Sequence, residues 1–238
     1  MLKCNHVTKR YSNCTALDDV SLTIVPGQTY ALLGPNGHGK TTLMKTIAGL
    51  ISPTSGTVTL DDIPVGTHTK AYVTYMPTED YFYHYMDCKD IARFYQDFYT
   101  DFDVDKYNWL LKDMELAPNI KSKQMSSGMM AKLKLSVALS RNSSITMLDE
   151  PLNGVDIIAR DKIVDALTNH RAPNASTIIS THLIDELENI VNQAIFIQYG
   201  KIVCAGTIQE LREQNHMSLV ELYKYIYGGV TPNGGFHA

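Results

Sequence analysis

The chain has 238 residues, 44% of them hydrophobic, and 21 Lys and Arg against 25 Asp and Glu give a formal net charge of −4. That composition suits a folded protein with a real core, in one large domain or two small ones, and excludes a disordered chain; without a dense basic cluster the charge balance also argues against a nucleic-acid partner. Cys4, Cys14, Cys88 and Cys204 are scattered without metal-ligand spacing, the N-terminus lacks a signal-peptide core, and no apolar run approaches the roughly 18 to 20 residues of a membrane span, so the expectation is a cytoplasmic protein that reaches a membrane only through a partner.

Residues 2 to 33 alternate short β-type runs with turn signals, with strands predicted at 20–25 and 29–33 on either side of Pro26-Gly27. Next comes Gly34-Pro35-Asn36-Gly37-His38-Gly39-Lys40-Thr41-Thr42, a complete G-x-x-x-x-G-K-[ST]. It follows a buried strand and opens a helix predicted over 42–48, the context a phosphate-binding loop requires. Its glycines let successive N–H groups turn toward phosphate oxygens, and the helix N-terminus adds partial positive charge. Gly34, Asn36, Gly37, Gly39, Lys40, Thr41 and Thr42 are therefore the candidate nucleotide contacts, Lys40 for the β- and γ-phosphates and Thr41 for Mg²⁺.

Further strands are predicted at 57–60 and 71–76. From about 87 to 141 the texture becomes helical, with Ile91, Phe94, Tyr95 and Phe98 at three- and four-residue spacing. Strand texture returns at 145–148, 177–180 and 194–197. Buried strands alternating with helices indicate an α/β protein with a largely parallel sheet. Met147-Leu148-Asp149-Glu150 places two carboxylates at a strand's carboxyl end, where ligands gather in such sheets. Asp149 reads as a Walker-B acid at Mg²⁺, and Glu150 as the group that polarises an attacking water. His182, just past the strand that follows, suits the γ-phosphate. Ser126 or Ser127 fits an N-cap, and a Ser at a helix N-terminus is also an anion site, though one in the helical region and too far from Lys40 within the same molecule. Leu219, Leu222, Tyr223 and Ile226 have helical spacing, and 228–235 form a Gly-rich, mobile tail.

Together these elements resemble the ATPase cassette of ABC transporters, from about residue 2 to about 215, most of all the small bacterial drug or peptide exporter cassettes. The resemblance implies a P-loop NTPase core with an N-terminal antiparallel β subdomain, spanning 1–86 and 142–215, an inserted helical subdomain at 87–141, and a C-terminal helix and tail at 216–238. It implies ATP and Mg²⁺ as ligands, and head-to-tail closure with a second cassette, identical or different, beneath a separate permease on the inner face of the membrane. It assigns Tyr11 to adenine stacking, Lys40 and Thr41 to the phosphate loop, Ser126 to Met129, with Ser126 and Gly128 facing phosphate, to the signature segment. Asp149 becomes the Walker-B acid, Glu150 the catalytic glutamate, Asn153 to Asp156 the D-loop, and His182 the switch histidine. Two positions depart from the family pattern. L-S-G-G-Q reads Met125-Ser126-Ser127-Gly128-Met129, and the Gln expected after a strand and Pro is Thr78, with Thr78 or Glu79 left to stand near the metal.

Thirteen of the twenty-one aromatic residues lie between Tyr72 and Trp109. They serve a core or a permease contact, and the resemblance favours the contact for 81–86. A regulatory cassette that hydrolyses ATP weakly is the main alternative function. A soluble cassette acting on ribosomes or DNA, and a small-molecule kinase, fit the sequence less well.

Overall fold

The computed structural model describes residues 1–172 and 174–228. The N-terminal half supplies β1 (Leu2–Tyr11), β2 (Cys14–Ile24), β3 (Thr29–Leu33), α1 (Lys40–Ile47), β4 (Ser55–Leu60), β5 (Ile63–Pro64) and β6 (Val73–Met76). Three helices follow, α2 (Cys88–Phe98), α3 (Val104–Asp113) and α4 (Ser127–Leu139). The remainder runs β7 (Ile145–Asp149), α5 (Ile157–Asn169), β8 (Ser176–Thr181), α6 (Ile184–Leu187), β9 (Gln193–Gln198), β10 (Lys201–Thr207), α7 (Ile208–Asn215) and α8 (Leu219–Gly228).

The strands form two sheets. One is antiparallel, in the order β2-β1-β4-β5. In β1 the side chains of Leu2 and Cys4 enter the core by period-two alternation, then an irregularity near His6, whose φ is 50°, resets the register so that Val7 is buried too. The second sheet, β10-β9-β3-β8-β7-β6, is parallel except for β10 at its edge. Every residue of β3, β7 and β8 is buried, as expected for parallel strands covered on both faces. The fold is therefore α/β with a largely parallel sheet and a separate N-terminal antiparallel one. Leu33 pairs with Thr181 and Asp149 with Ser180, so Gly34, Glu150 and His182 all leave the sheet at the same end.

Several expectations shift. The strand predicted at 20–25 begins at Cys14, and the helix predicted from Thr42 begins at Lys40. Ala71 and Tyr72 belong to a 3₁₀ turn over Thr67–Tyr72, where the Thr69 hydroxyl accepts a hydrogen bond from the Gly66 N–H, so β6 starts only at Val73. The edge strand β10 was not anticipated. The anticipated C-terminal helix is α8, whereas 229–235 of the Gly-rich tail lie outside the described residues.

Helices α2, α3 and α4 start at capping side chains of Asp87, Asp103 and Ser126, each accepting a backbone N–H of the first turn. Just past α4, buried Arg141 joins this region to the rest of the chain. Its Nε donates to both oxygens of Asp101 at 2.8 and 2.9 Å, its Nη2 donates to the Ala71 carbonyl at 2.8 Å, and its guanidinium lies 3.6 Å from the Tyr99 ring centre. Removing the buried cation strands the partly buried Asp101 carboxylate and the Ala71 carbonyl, so Arg141→Met lowers stability by about 3 kcal/mol, measurable as a fall in urea midpoint at unchanged slope.

Candidate active site

The phosphate-binding segment is shaped by close backbone contact. Gly39 has φ 105°, and a Cβ there would lie 2.5 Å from the Ala16 carbonyl oxygen, so only glycine fits. Gly37, at φ 82°, has open space beside it, which leaves its backbone accessible to a ligand. α1 starts immediately afterward, so its unpaired N–H groups point into the same space. Lys40 is buried and turns back over the loop. Its Nζ donates to Gly34 O at 2.6 Å and Pro35 O at 3.2 Å, and lies 3.6 Å from Glu150 Oε1.

Asp149 ends β7 at 1% exposure. Its Oδ2 accepts from the hydroxyls of Thr41 at 2.7 Å and Tyr75 at 3.1 Å, and its Oδ1 accepts from Ser180 Oγ at 2.5 Å. Burial and the adjacent Asp149 charge push the Tyr75 hydroxyl well above its ordinary pKa, so it remains a donor. A carboxylate and a threonine hydroxyl in contact beside a phosphate-binding loop are hard oxygen donors, and they fit Mg²⁺, which takes few protein ligands and completes its shell with water and phosphate. No group of three or more His, Cys, Asp or Glu side chains among the described residues is disposed to hold a metal by itself.

Glu150 follows with φ 51°, a left-handed conformation that is strained for a residue with a side chain. Its N–H meets the Ser180 carbonyl at 3.2 Å and Ser180 Oγ at 2.9 Å, which holds the turn and swings the carboxylate into the cleft. Oε2 lies 3.0 Å from Nδ1 of His182, while Oε1 is buried without a hydrogen-bond partner among the described residues. An ionised oxygen so placed is a strong acceptor for a water proton.

These groups share a cleft of about 260 Å³ lined by Asn36, Gly37, Gly39, Lys40, Thr41, Thr42, Thr78, Asp149, Glu150, Asn153 and His182, with Ala16 at its edge. Gly34 lies beneath it, packed on Ile197 and Tyr227. Four further candidates stand outside the lining. Tyr11 is half-exposed at the end of β1 with Lys9 over its ring at 5.3 Å. Glu79 points out to Lys45 at 3.2 Å, and hydrogen bonds from its own backbone N–H and from Lys45 hold its carboxyl below the ordinary range. Of the two loop residues considered for the metal, Thr78 is thus the one in the cleft, its Oγ1 donating to the Asp149 carbonyl at 3.3 Å. Ser126 and Gly128 open α4: Ser126 Oγ caps it by accepting the Met129 N–H at 3.3 Å, and the neighbouring Ser127 hydroxyl donates to Gly154 O at 2.9 Å.

Four contributors escaped the sequence reading. Ser180 and Tyr75 sit inside strands and look like ordinary strand residues. Tyr227, on α8, donates its hydroxyl to Leu33 O at 3.0 Å and Ile197 O at 2.9 Å, directly under the phosphate loop, a contact joining positions far apart in sequence. Lys134 in α4 donates to the backbone of the loop at Thr78, and no sequence signal separates a buried lysine from an exposed one.

The family model described as ABC transporter matches residues 17–153. The ABC transporter ATP-binding protein YtrB of Bacillus subtilis is 29% identical over 90% of this chain and 74% of its own length, and the lantibiotic transport ATP-binding protein SrtF of Streptococcus pyogenes is 30% identical over 85% and 89%. An uncharacterized ABC transporter ATP-binding protein of Nostoc, 30% identical over 82% of this chain, is matched along only 61% of its length. Among solved structures, an ATP binding subunit of an ABC transporter superposes with a TM-score of 0.86 at 24% identity over 95% of this chain and 99% of its own. A dimeric post-hydrolysis state of the cassette MJ0796, bound to ADP and Pi, gives 0.78 at 22% identity over 87% and 98%. With the phosphate loop, Asp149, Glu150 and His182 gathered at one end of a parallel sheet, this chain belongs to the ABC transporter family as an ATP-hydrolysing cassette.

Proposed function

We propose that the chain hydrolyses ATP as one of two copies closed head to tail, each nucleotide lying between one copy's phosphate loop and the other's Ser126–Met129, and that closure drives a separate permease in the export direction. The observation that carries this reading is that the exposed start of α4, a helix N-terminus capped by the Ser126 hydroxyl, lies outside the lining of its own cleft. In this reading residues 1–86 and 142–215 bind nucleotide, 87–141 carry the segment offered to the partner copy, and 216–238 form a C-terminal addition.

Tyr11, outside the cleft lining, stacks on an adenine that extends beyond it, and within the cleft Lys40 exchanges the Gly34 and Pro35 carbonyls for β- and γ-phosphate oxygens. Thr41 and, through water, Asp149 would hold Mg²⁺, which would supply positive charge against that building on the phosphoryl oxygens. Glu150 takes the proton of the attacking water with Oε1. His182, oriented by Glu150 Oε2 at Nδ1, presents its other ring nitrogen to the γ-phosphate.

A mixing experiment tests the shared site. Lys40→Met and Ser126→Arg chains are each inactive alone, yet half the dimers of an equal mixture hold one intact site, so about a quarter of native turnover returns. Activity no greater than the two separate variants contradicts head-to-tail closure.

The permease contact falls on the aromatic stretch after β6. Tyr95, Tyr99, Phe102 and Tyr107 pack inward, whereas Tyr83 and Tyr85, stacked 5.6 Å apart, are 59% and 65% exposed. Amphipathic rings suit an interface that is part apolar and part hydrogen-bonded. Tyr83→Ala with Tyr85→Ala is expected to abolish co-purification with the membrane subunit while ATP turnover of the isolated chain stays within about twofold of native, because surface truncations cost little stability. Retained complex and transport-coupled activity refutes this assignment.

A further inference from the structure

Helix α4 is buried along nearly its whole length among Leu133, Leu135, Val137, Ala138 and Leu139, and Lys134 is buried with them at 5% exposure. Its ammonium has three N–H groups and meets three acceptors: Thr78 O at 2.7 Å, Glu79 O at 3.1 Å and Asp80 Oδ1 at 3.4 Å. A methionine would fill the same volume without desolvating a charge. The cation therefore asks for a role beyond packing, and its acceptors supply one.

We infer that Lys134 is a positioning residue that holds the loop at Thr78 to Asp80 against the reaction site and ties that loop to the helix opened by Ser126. The contacts form an unbroken series. From α4 the ammonium grips the carbonyls of Thr78 and Glu79; Thr78 Oγ1 donates to the Asp149 carbonyl at 3.3 Å; the Asp149 carboxylate receives Thr41 and Ser180; and the next residue is Glu150. Thr78 lines the cleft with Lys40, Glu150 and His182, and a second crevice under the loop is lined by Thr78, Asp80, Lys134 and Glu150. Among the described residues the Thr78 side chain holds the loop by one long hydrogen bond, 3.3 Å to the Asp149 carbonyl. Lys134 supplies the missing hold through the backbone. Because the grip is on main-chain carbonyls, a displacement of α4 moves the loop with it, so the segment offered to one nucleotide and the loop beside the other shift together.

The inference rests on the ATPase reading of the cleft, and two readouts separate them. In Lys134→Met, backbone amide exchange over residues 78–81 is expected to rise about tenfold as the anchored carbonyls are released, with β7 unchanged. The kcat for Mg-ATP falls about tenfold with KM within twofold, because loop placement rather than binding is lost. Asp80→Asn, at an exposed position that tolerates change, removes the charge of one of the three acceptors and shifts both readouts in the same direction by a smaller factor. Unchanged loop exchange overturns the inference, as does a fall in kcat matched by KM and by global unfolding. If Lys134→Met does not fold, Asp80→Asn decides by the same criteria. A native chain without ATP turnover overturns the ATPase reading instead, and loop exchange then decides the role of Lys134.

Discussion

Replacing Glu150 by Gln is expected to lower ATP turnover by 10²- to 10⁴-fold, the range for loss of a positioned general base, without raising KM. The substitution keeps the side-chain shape, so the backbone held by Ser180 and the contact with His182 Nδ1 both have a partner in the variant. What disappears is the negative charge at Oε1, the buried oxygen without a hydrogen-bond partner among the described residues. That charge is needed to accept a proton from water and is unhelpful to binding, since it faces an anionic substrate. Chemistry therefore weakens while affinity holds or improves. Steady-state turnover together with nucleotide titration checks both halves. A variant with equal losses in kcat and affinity would show that Glu150 acts by shaping the cleft.

The second large effect falls on Lys40. Lys40→Met is expected to raise the dissociation constant for ATP by about 100-fold, equivalent to roughly 2.8 kcal/mol. Charge-assisted hydrogen bonds contribute about 1.5 to 3 kcal/mol each, and Lys40 has more than one phosphate oxygen to meet. The loss is smaller than their sum, because in the free protein the same ammonium already serves the Gly34 and Pro35 carbonyls, and those bonds are exchanged rather than newly made. Methionine preserves the buried stem. The thermal midpoint without nucleotide should then move by only a few degrees, while the stabilisation added by saturating ATP largely vanishes. Retained ATP stabilisation would contradict the place given to Lys40.

The nucleotide-binding cleft was legible where local chemistry and position coincide. The glycines before Lys40 specify the backbone, and strands such as Ile145–Asp149 and Ser176–Thr181 are fully buried, so residues just beyond them fall at one sheet end. Edge strand β10 was missed because its apolar run, Ile202 to Ala205, is short and runs into Gly206, and its residues are half-buried or exposed. β1 read as fragments because the irregularity at His6 breaks its period. Thr78 stood out as an anomaly whose compensation was hidden, since Lys134 lies 56 residues further along and only packing brings it to the loop. Tyr227 escaped notice for the same reason, its hydroxyl reaching across 194 residues to Leu33. Contacts from a side chain to a distant main-chain carbonyl leave no local pattern, because any residue supplies the carbonyl.

The most direct test of the central claim is the mass of purified Glu150→Gln protein by light scattering with Mg-ATP and with Mg-ADP. Head-to-tail closure around ATP predicts a species of twice the monomer mass with ATP that reverts to monomer with ADP. A monomer in both nucleotides would contradict the pairing of one copy's Lys40 cleft with the other's Ser126.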